Sequence, residues 1–144
     1  MRIYALLFAC ALAPSAVPTT AAAAQGPLSG RLMCQAVPAP GRVLCEVDLT
    51  TARGRLVWAD ALVVLSPDFA RPLRARVGAS QEPRSSESEL KLSLAFMAVR
   101  AGRAPVEIVA RAVICPPGVP DAEPKDCGPE FVRLGAELAV GEGL

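Results

Sequence analysis

Histidine is missing from this sequence altogether. Its absence removes every Ser-His and Cys-His nucleophile pair and the commonest zinc ligand. Aromatic residues make up only 4% of the chain, so a folded core has to be built from Leu, Val, Ala and Ile. Lysine is represented by Lys91 and Lys125 alone. There is no Gly-rich phosphate loop, no calcium-loop pattern, no internal repeat and no heptad array. No run of residues approaches the roughly 20 apolar positions that an α-helix needs to cross a bilayer. What remains for catalysis is paired carboxylates, a Ser-Lys arrangement or a free thiolate, and no residue pattern calls for a cofactor or a metal.

What is present begins with a leader. Met1-Arg2 is short and basic, Ile3 to Ala13 is apolar, and small residues follow to Ala22-Ala23-Ala24. This is the three-part layout of a secretory signal peptide, with cleavage expected before Gln25. Residues 1–24 then leave a single domain at 25–144. Cys10 offers an alternative: Leu7-Phe8-Ala9-Cys10 resembles a lipoprotein box, and lipidation there would tether the protein to a membrane. Otherwise Cys10 is one more apolar member of the leader. The whole chain carries 15 Lys+Arg against 14 Asp+Glu. Loss of Arg2 with the leader makes the two equal, which disfavours a nucleic-acid partner, since phosphate neutralisation needs a basic excess. The Arg, Ala, Pro and Val bias suits a GC-rich genome, and with export it points to a periplasmic or secreted bacterial protein.

The mature chain keeps Cys34, Cys45, Cys115 and Cys127. An even count in an exported chain reads as disulfides, with three possible connectivities. A zinc site would need much tighter spacing than the ten and eleven residues between successive members of each pair. Register favours one connectivity. Gly30–Val37 and Arg42–Thr50 read as strands around the turn Pro38-Ala39-Pro40-Gly41. If Val37 and Arg42 close that hairpin, Leu32 falls opposite Val47, Cys34 opposite Cys45 and Ala36 opposite Val43 on an apolar face. Arg31 then falls opposite Asp48 on the wet face. Cys34 and Cys45 would occupy a non-hydrogen-bonded site, about 4.5 Å between Cα atoms. The expected bridges are Cys34–Cys45 and Cys115–Cys127, the second worth roughly 3 kcal/mol in the chain-entropy model.

Further along, Arg55–Leu65 is apolar on both alternating faces, as a central strand buried on two sides would be. Leu73–Ala79 alternates, with Leu73, Ala75 and Val77 against Arg74 and Arg76. Glu89–Val99 and Val106–Cys115 alternate most cleanly, and pairing Phe96 with Ile108 and Leu92 with Ala112 keeps their apolar sets on one face. No regular element is expected from Pro116 to Pro129. Phe131–Val140 is a last strand or a short helix. About seven strands with turn signals between them make a small, all-β antiparallel β-sandwich. Cys45, Trp58 thirteen residues on and Cys115 seventy residues after Cys45 are similar in spacing to the Cys…Trp…Cys set of immunoglobulin domains. That resemblance implies a sandwich and, as the rival connectivity, a Cys45–Cys115 bridge. The Tyr expected two residues before the second Cys is Val113 here.

Candidate functional residues are few. Lys91 and Ser93 share a strand face, either as a Ser-Lys dyad or as a solvated surface; Glu87 and Glu89 read as solubilising charges. Asp60 interrupts an apolar strand and has to be exposed or satisfied there. It belongs to a strand edge or loop cap, or to a cleft with a second carboxylate. Arg71, Arg74, Arg76, Arg100, Arg103 and Arg111 form an anion-binding face if their strands are neighbours. The loop carrying Pro116, Pro117, Pro120, Pro124 and Pro129, stiff and closed by a bridge, is the expected contact site for a partner, either another protein or the envelope. The function expected is that of an exported, non-enzymatic contact protein. The alternatives are an extracytoplasmic carboxylate-based hydrolase and a lipid-anchored envelope protein.

Overall fold

The computed structural model describes residues 26–78, 86–118 and 126–141. The leader, Cys10, Pro120 and Pro124 lie outside the described residues. Eight strands follow in order: β1 (Leu28–Cys34), β2 (Gly41–Thr51), β3 (Arg55–Leu65), β4 (Ala70–Pro72), β5 (Arg76–Gly78), β6 (Glu89–Ala98), β7 (Gly102–Cys115) and β8 (Gly128–Val140). They form two four-stranded antiparallel sheets, β1-β2-β6-β4 and β5-β3-β7-β8. The order β1-β2-β6-β4 against β3-β7-β8 is the ABED/CFG order of immunoglobulin-type sandwiches, with β5 added beside β3.

Alternation builds the core. Val43, Val47 and Leu49 of β2 and Leu90, Leu92, Leu94 and Phe96 of β6 are buried from one side. Leu56, Ala59 and Ala61 of β3, Val106, Ile108, Ala110 and Ala112 of β7, and Leu134 and Leu138 of β8 are buried from the other. The clean patterns of β6 and β7 therefore face one another across the sandwich. They do not pair: β6 lies between β2 and β4, and β7 between β3 and β8, so the expected Phe96/Ile108 and Leu92/Ala112 pairs are corrected. Alternation says which side of a strand is apolar, and two facing sheets satisfy it as well as one hairpin does.

The first hairpin has the expected register, with Arg31 opposite Asp48, Leu32 opposite Val47 and Cys34 opposite Cys45. The Gln35 N–H donates to Leu44 O at 2.9 Å, which makes Cys34/Cys45 a non-hydrogen-bonded pair; their Cα atoms are 4.0 Å apart. The bridges are Cys34–Cys45 and Cys115–Cys127. Cys45 and Cys115 do occupy the B-like and F-like strands, but each is tied to its sequence neighbour. The expected Val37/Arg42 closure does not form. Val37 instead crosses to the other sheet and bridges Val140 in parallel, its N–H donating to Ala139 O and its carbonyl accepting from Gly141 N–H.

Two further expectations are corrected. The alternating stretch expected at 73–79 is cut down to β5 at Arg76–Gly78, which pairs with β3; β4, at Ala70–Pro72 just before it, pairs with β6 in the other sheet, the chain crossing between Pro72 and Arg76. Regular structure resumes at Gly128, so Pro129 lies inside β8, on the edge of its sheet, where a proline costs no ladder bond.

Candidate functional site

The outer faces of the two sheets differ in kind. On the β1-β2-β6 sheet, Arg31, Asp48, Lys91 and Glu46 make a charge lattice: Arg31–Asp48 at 3.3 Å, Lys91–Asp48 at 3.1 Å and Lys91–Glu46 at 2.8 Å. Burial pushes the Asp48 carboxyl up, but hydrogen bonds from Lys91 and Arg31 outweigh it and hold the group below its ordinary value. The bonds to Glu46 and Asp48 raise Lys91. Lys91 is therefore committed to carboxylates, Ser93 stands opposite Glu46, and the pair shares a solvated face.

The outer face of the β5-β3-β7-β8 sheet carries an apolar patch around one buried charged centre, with the exposed ion pairs Arg133–Glu107 and Arg103–Glu137 farther along the same face. Its origin is a bulge. Between Leu56 and Trp58 the register of β3 against β7 slips by one residue at Val57, and one extra residue inverts the facing of all that follows. Leu56, Ala59 and Ala61 point into the core, while Trp58, Asp60 and Leu62 point out. The strand expected to be buried on both sides is thus buried on one, leaving Trp58 41% and Leu62 42% exposed. Cross-strand pairing extends the outer face over β7 and β8. Trp58 stands opposite Val113 and that opposite Pro129; Asp60 opposite Arg111 and that opposite Phe131; Leu62 opposite Val109 and that opposite Arg133. Phe131 is 57% exposed.

Asp60 lies at the centre and is only 2% exposed, because two guanidinium groups cover it. Arg111 donates through Nε to Oδ1 at 2.8 Å and through Nη2 to Oδ2 at 2.5 Å. Arg76, from β5, donates to Oδ2. The Arg111 guanidinium also lies 5.6 Å from the centre of the Trp58 ring, a cation–π contact. Asp60 is accordingly neither a loop cap nor half of a carboxylate pair in a cleft. It holds two cations flat on a sheet surface.

Of the six arginines considered for an anion face, this centre collects Arg76 and Arg111. Arg100 pairs with Asp68 at 3.2 Å and Arg103 with Glu137 at 2.9 Å; Arg71 is on β4 of the other sheet and Arg74 on the crossing. Arg133 pairs with Glu107 at 3.1 Å. One carboxylate for two guanidiniums leaves the centre with one positive charge, ringed by Trp58, Leu62, Val109, Val113 and Phe131. In the proline loop, Pro116 and Pro117 line an open cavity of about 250 Å³ with Arg53, Asp126 and Glu130 beside the Cys115–Cys127 bridge. Glu87 and Glu89 are exposed. In the sequence Asp60 is marked by interrupting an apolar run and Arg76 and Arg111 only as two of six candidate arginines, while the apolar ring carries no signal, since nothing in the residues marks Val57 as a bulge. Among the described residues no helix is long and apolar enough to cross a membrane.

The chain matches no protein-family model, and no curated protein resembles it. Fold and site define its class on their own terms: a disulfide-stapled sandwich of immunoglobulin-type strand order, with one polar sheet face and one apolar, arginine-centred face.

Proposed function

We propose that this is an exported, non-enzymatic contact protein that binds a protein partner through the outer face of the β5-β3-β7-β8 sheet. One observation carries the reading: Trp58, Leu62 and Phe131 are all more than two-fifths exposed on a single face, around a buried carboxylate and its two arginines. Trp and Arg at the centre of an apolar patch is the composition of an interface hot spot. The partner best suited offers apolar side chains around a carboxylate, to meet the one uncompensated positive charge. The charge lattice of the opposite face, already paired, has no such need. Export is supported by the leader-like residues 1–24 and by two disulfides, which persist in oxidising compartments. The hydrolase alternative draws no support from Asp60, since both of its oxygens accept from guanidiniums.

The reading is tested by placing a photo-crosslinking residue at Leu62 and, separately, at Leu44 on the opposite face, in the producing cell. A discrete adduct with one other protein from position 62, absent from position 44, is the expected result. No adduct from 62, or the same adducts from both faces, would overturn it.

A further inference from the structure

The outer face of the β1-β2-β6-β4 sheet changes character along its strands. The charge lattice occupies the rows of Asp48 and Glu46. In the next row Leu44 stands opposite Ala95, and the Leu73 N–H donates to Ala95 O at 2.8 Å, which carries the β4 pairing one residue further. In the row after that, Arg42 stands opposite Met97 and Met97 opposite Arg71. Alternation puts these side chains outside, since Val43, Phe96 and Ala98 of the same strands are buried. Met33, Leu44 and Leu73 are exposed large apolar residues. Arg42 and Arg71 are exposed too, as is Arg74, the next residue along the crossing. On the other sheet, arginines from the strands on either side of β3 close on Asp60. Here, arginines from the strands on either side of β6 flank Met97, whose thioether cannot neutralise them. Among the described residues Arg42, Arg71 and Arg74 form no ion pair.

We infer that this end of the face is a membrane-contact surface whose occupant is an anionic phospholipid bilayer. Three uncompensated guanidiniums in one corner call for anions that the chain does not supply, and guanidinium matches phosphate in geometry. Leu44, Leu73 and Met97, in the same two rows, call for an apolar layer directly beside those anions. Phosphate next to hydrocarbon is the layering of a lipid interface. Other occupants meet one requirement and not the second. A protein hot spot is built on aromatic anchors, and the apolar residues at this end are Leu44, Leu73, Ala95 and Met97, with no ring among them. A nucleic acid offers phosphates, but its bases stack on aromatic rings and give nothing to Leu44 and Leu73. The patch lies on an open sheet face, so it meets a surface without rearrangement. Contact of this kind is reversible and weakens with salt, because surface attraction decays within a Debye length. It uses the side of the sandwich opposite the proposed protein contact, and neither contact depends on the other.

Cosedimentation of the oxidised mature protein with lipid vesicles at low ionic strength tests the inference. Vesicles of equal parts phosphatidylglycerol and phosphatidylcholine should carry the protein down, phosphatidylcholine alone should not, and recovery should fall as salt is raised. Arg42→Gln and Arg71→Gln should each lower partitioning about fivefold, the equivalent of about 1 kcal/mol per basic residue at an anionic surface. Arg103→Gln, on the other sheet, should leave it unchanged. All three arginines are exposed, and an unchanged β-sheet spectrum shows that each variant is folded. Leu44→Ser should weaken binding without altering its salt dependence, since it removes an apolar contact and no charge. Equal recovery on both kinds of vesicle, no recovery on either, or anionic binding that survives Arg42→Gln and Arg71→Gln combined would overturn the inference. Binding indifferent to Leu44→Ser would overturn it as well, by making the ligand a plain polyanion. So would a photo-crosslinking residue at Leu73 that yields a discrete protein adduct in the producing cell.

Discussion

Asp60 and Arg111 are bonded to each other but are unequal in what they lose when the bond is broken. The carboxylate is buried at 2%, whereas the side chains of Arg111 and Arg76 are 36% and 55% exposed. Remove the carboxylate and both guanidiniums can turn to water; remove Arg111 and a covered charge keeps one partner only. Arg111→Met is therefore expected to cost about 3 kcal/mol, and Asp60→Asn about 1–2 kcal/mol, in denaturant unfolding. The reverse order would mean that the arginines, not the aspartate, are the groups that cannot be left alone. Asp48 makes a pH-dependent case. Its folded-state value lies below its unfolded one, so its interactions add stability above about pH 4, and that stability is lost as pH falls through the folded value. Asp48→Asn should be less stable than the parent at pH 7, and the two unfolding curves should converge as pH falls through the lowered folded-state value and the parent's carboxyl protonates.

At the scale of elements, turns and bulges set what the strands then present. Gly54 turns β2 into β3 at φ +83°, and a Cβ there would lie 2.2 Å from the backbone oxygen of Cys115. Gly54→Ala should cost at least about 2 kcal/mol, since neither that backbone nor the left-handed conformation can give way cheaply; thermal unfolding measures it. The first hairpin was legible in the residues because Arg31/Asp48 and Cys34/Cys45 agree on a single register, and each would be lost by a slip of one. β3 was not legible, because the bulge at Val57 leaves no mark in composition yet decides whether Trp58 lies inside or outside. The partners of β6 and β7 were hidden for another reason: their apolar faces are equally content across a sandwich or along a hairpin. Asp60 stood out as an anomaly in an apolar run. The two arginines that answer it come from strands 16 and 51 residues away, and only the assembled sheet brings them together.

For the whole molecule, the division of labour between faces matters more than any one contact. One sheet turns a neutralised charge lattice outward; the other presents an apolar patch with one positive centre beside two exposed ion pairs.

The two bridges also bear on how the chain is made. Each joins a cysteine to the next one along, across separations of 11 and 12 residues. A chain entering an oxidising compartment from its N-terminus delivers Cys34 and Cys45 long before Cys115 arrives. A thiol oxidase that couples cysteines in their order of emergence reaches the native pairing at the first attempt, and the other two connectivities never compete. On the proposed export route, oxidation without an isomerase is expected to yield Cys34–Cys45 and Cys115–Cys127 directly, which a non-reducing peptide map of protein oxidised in isomerase-free conditions checks.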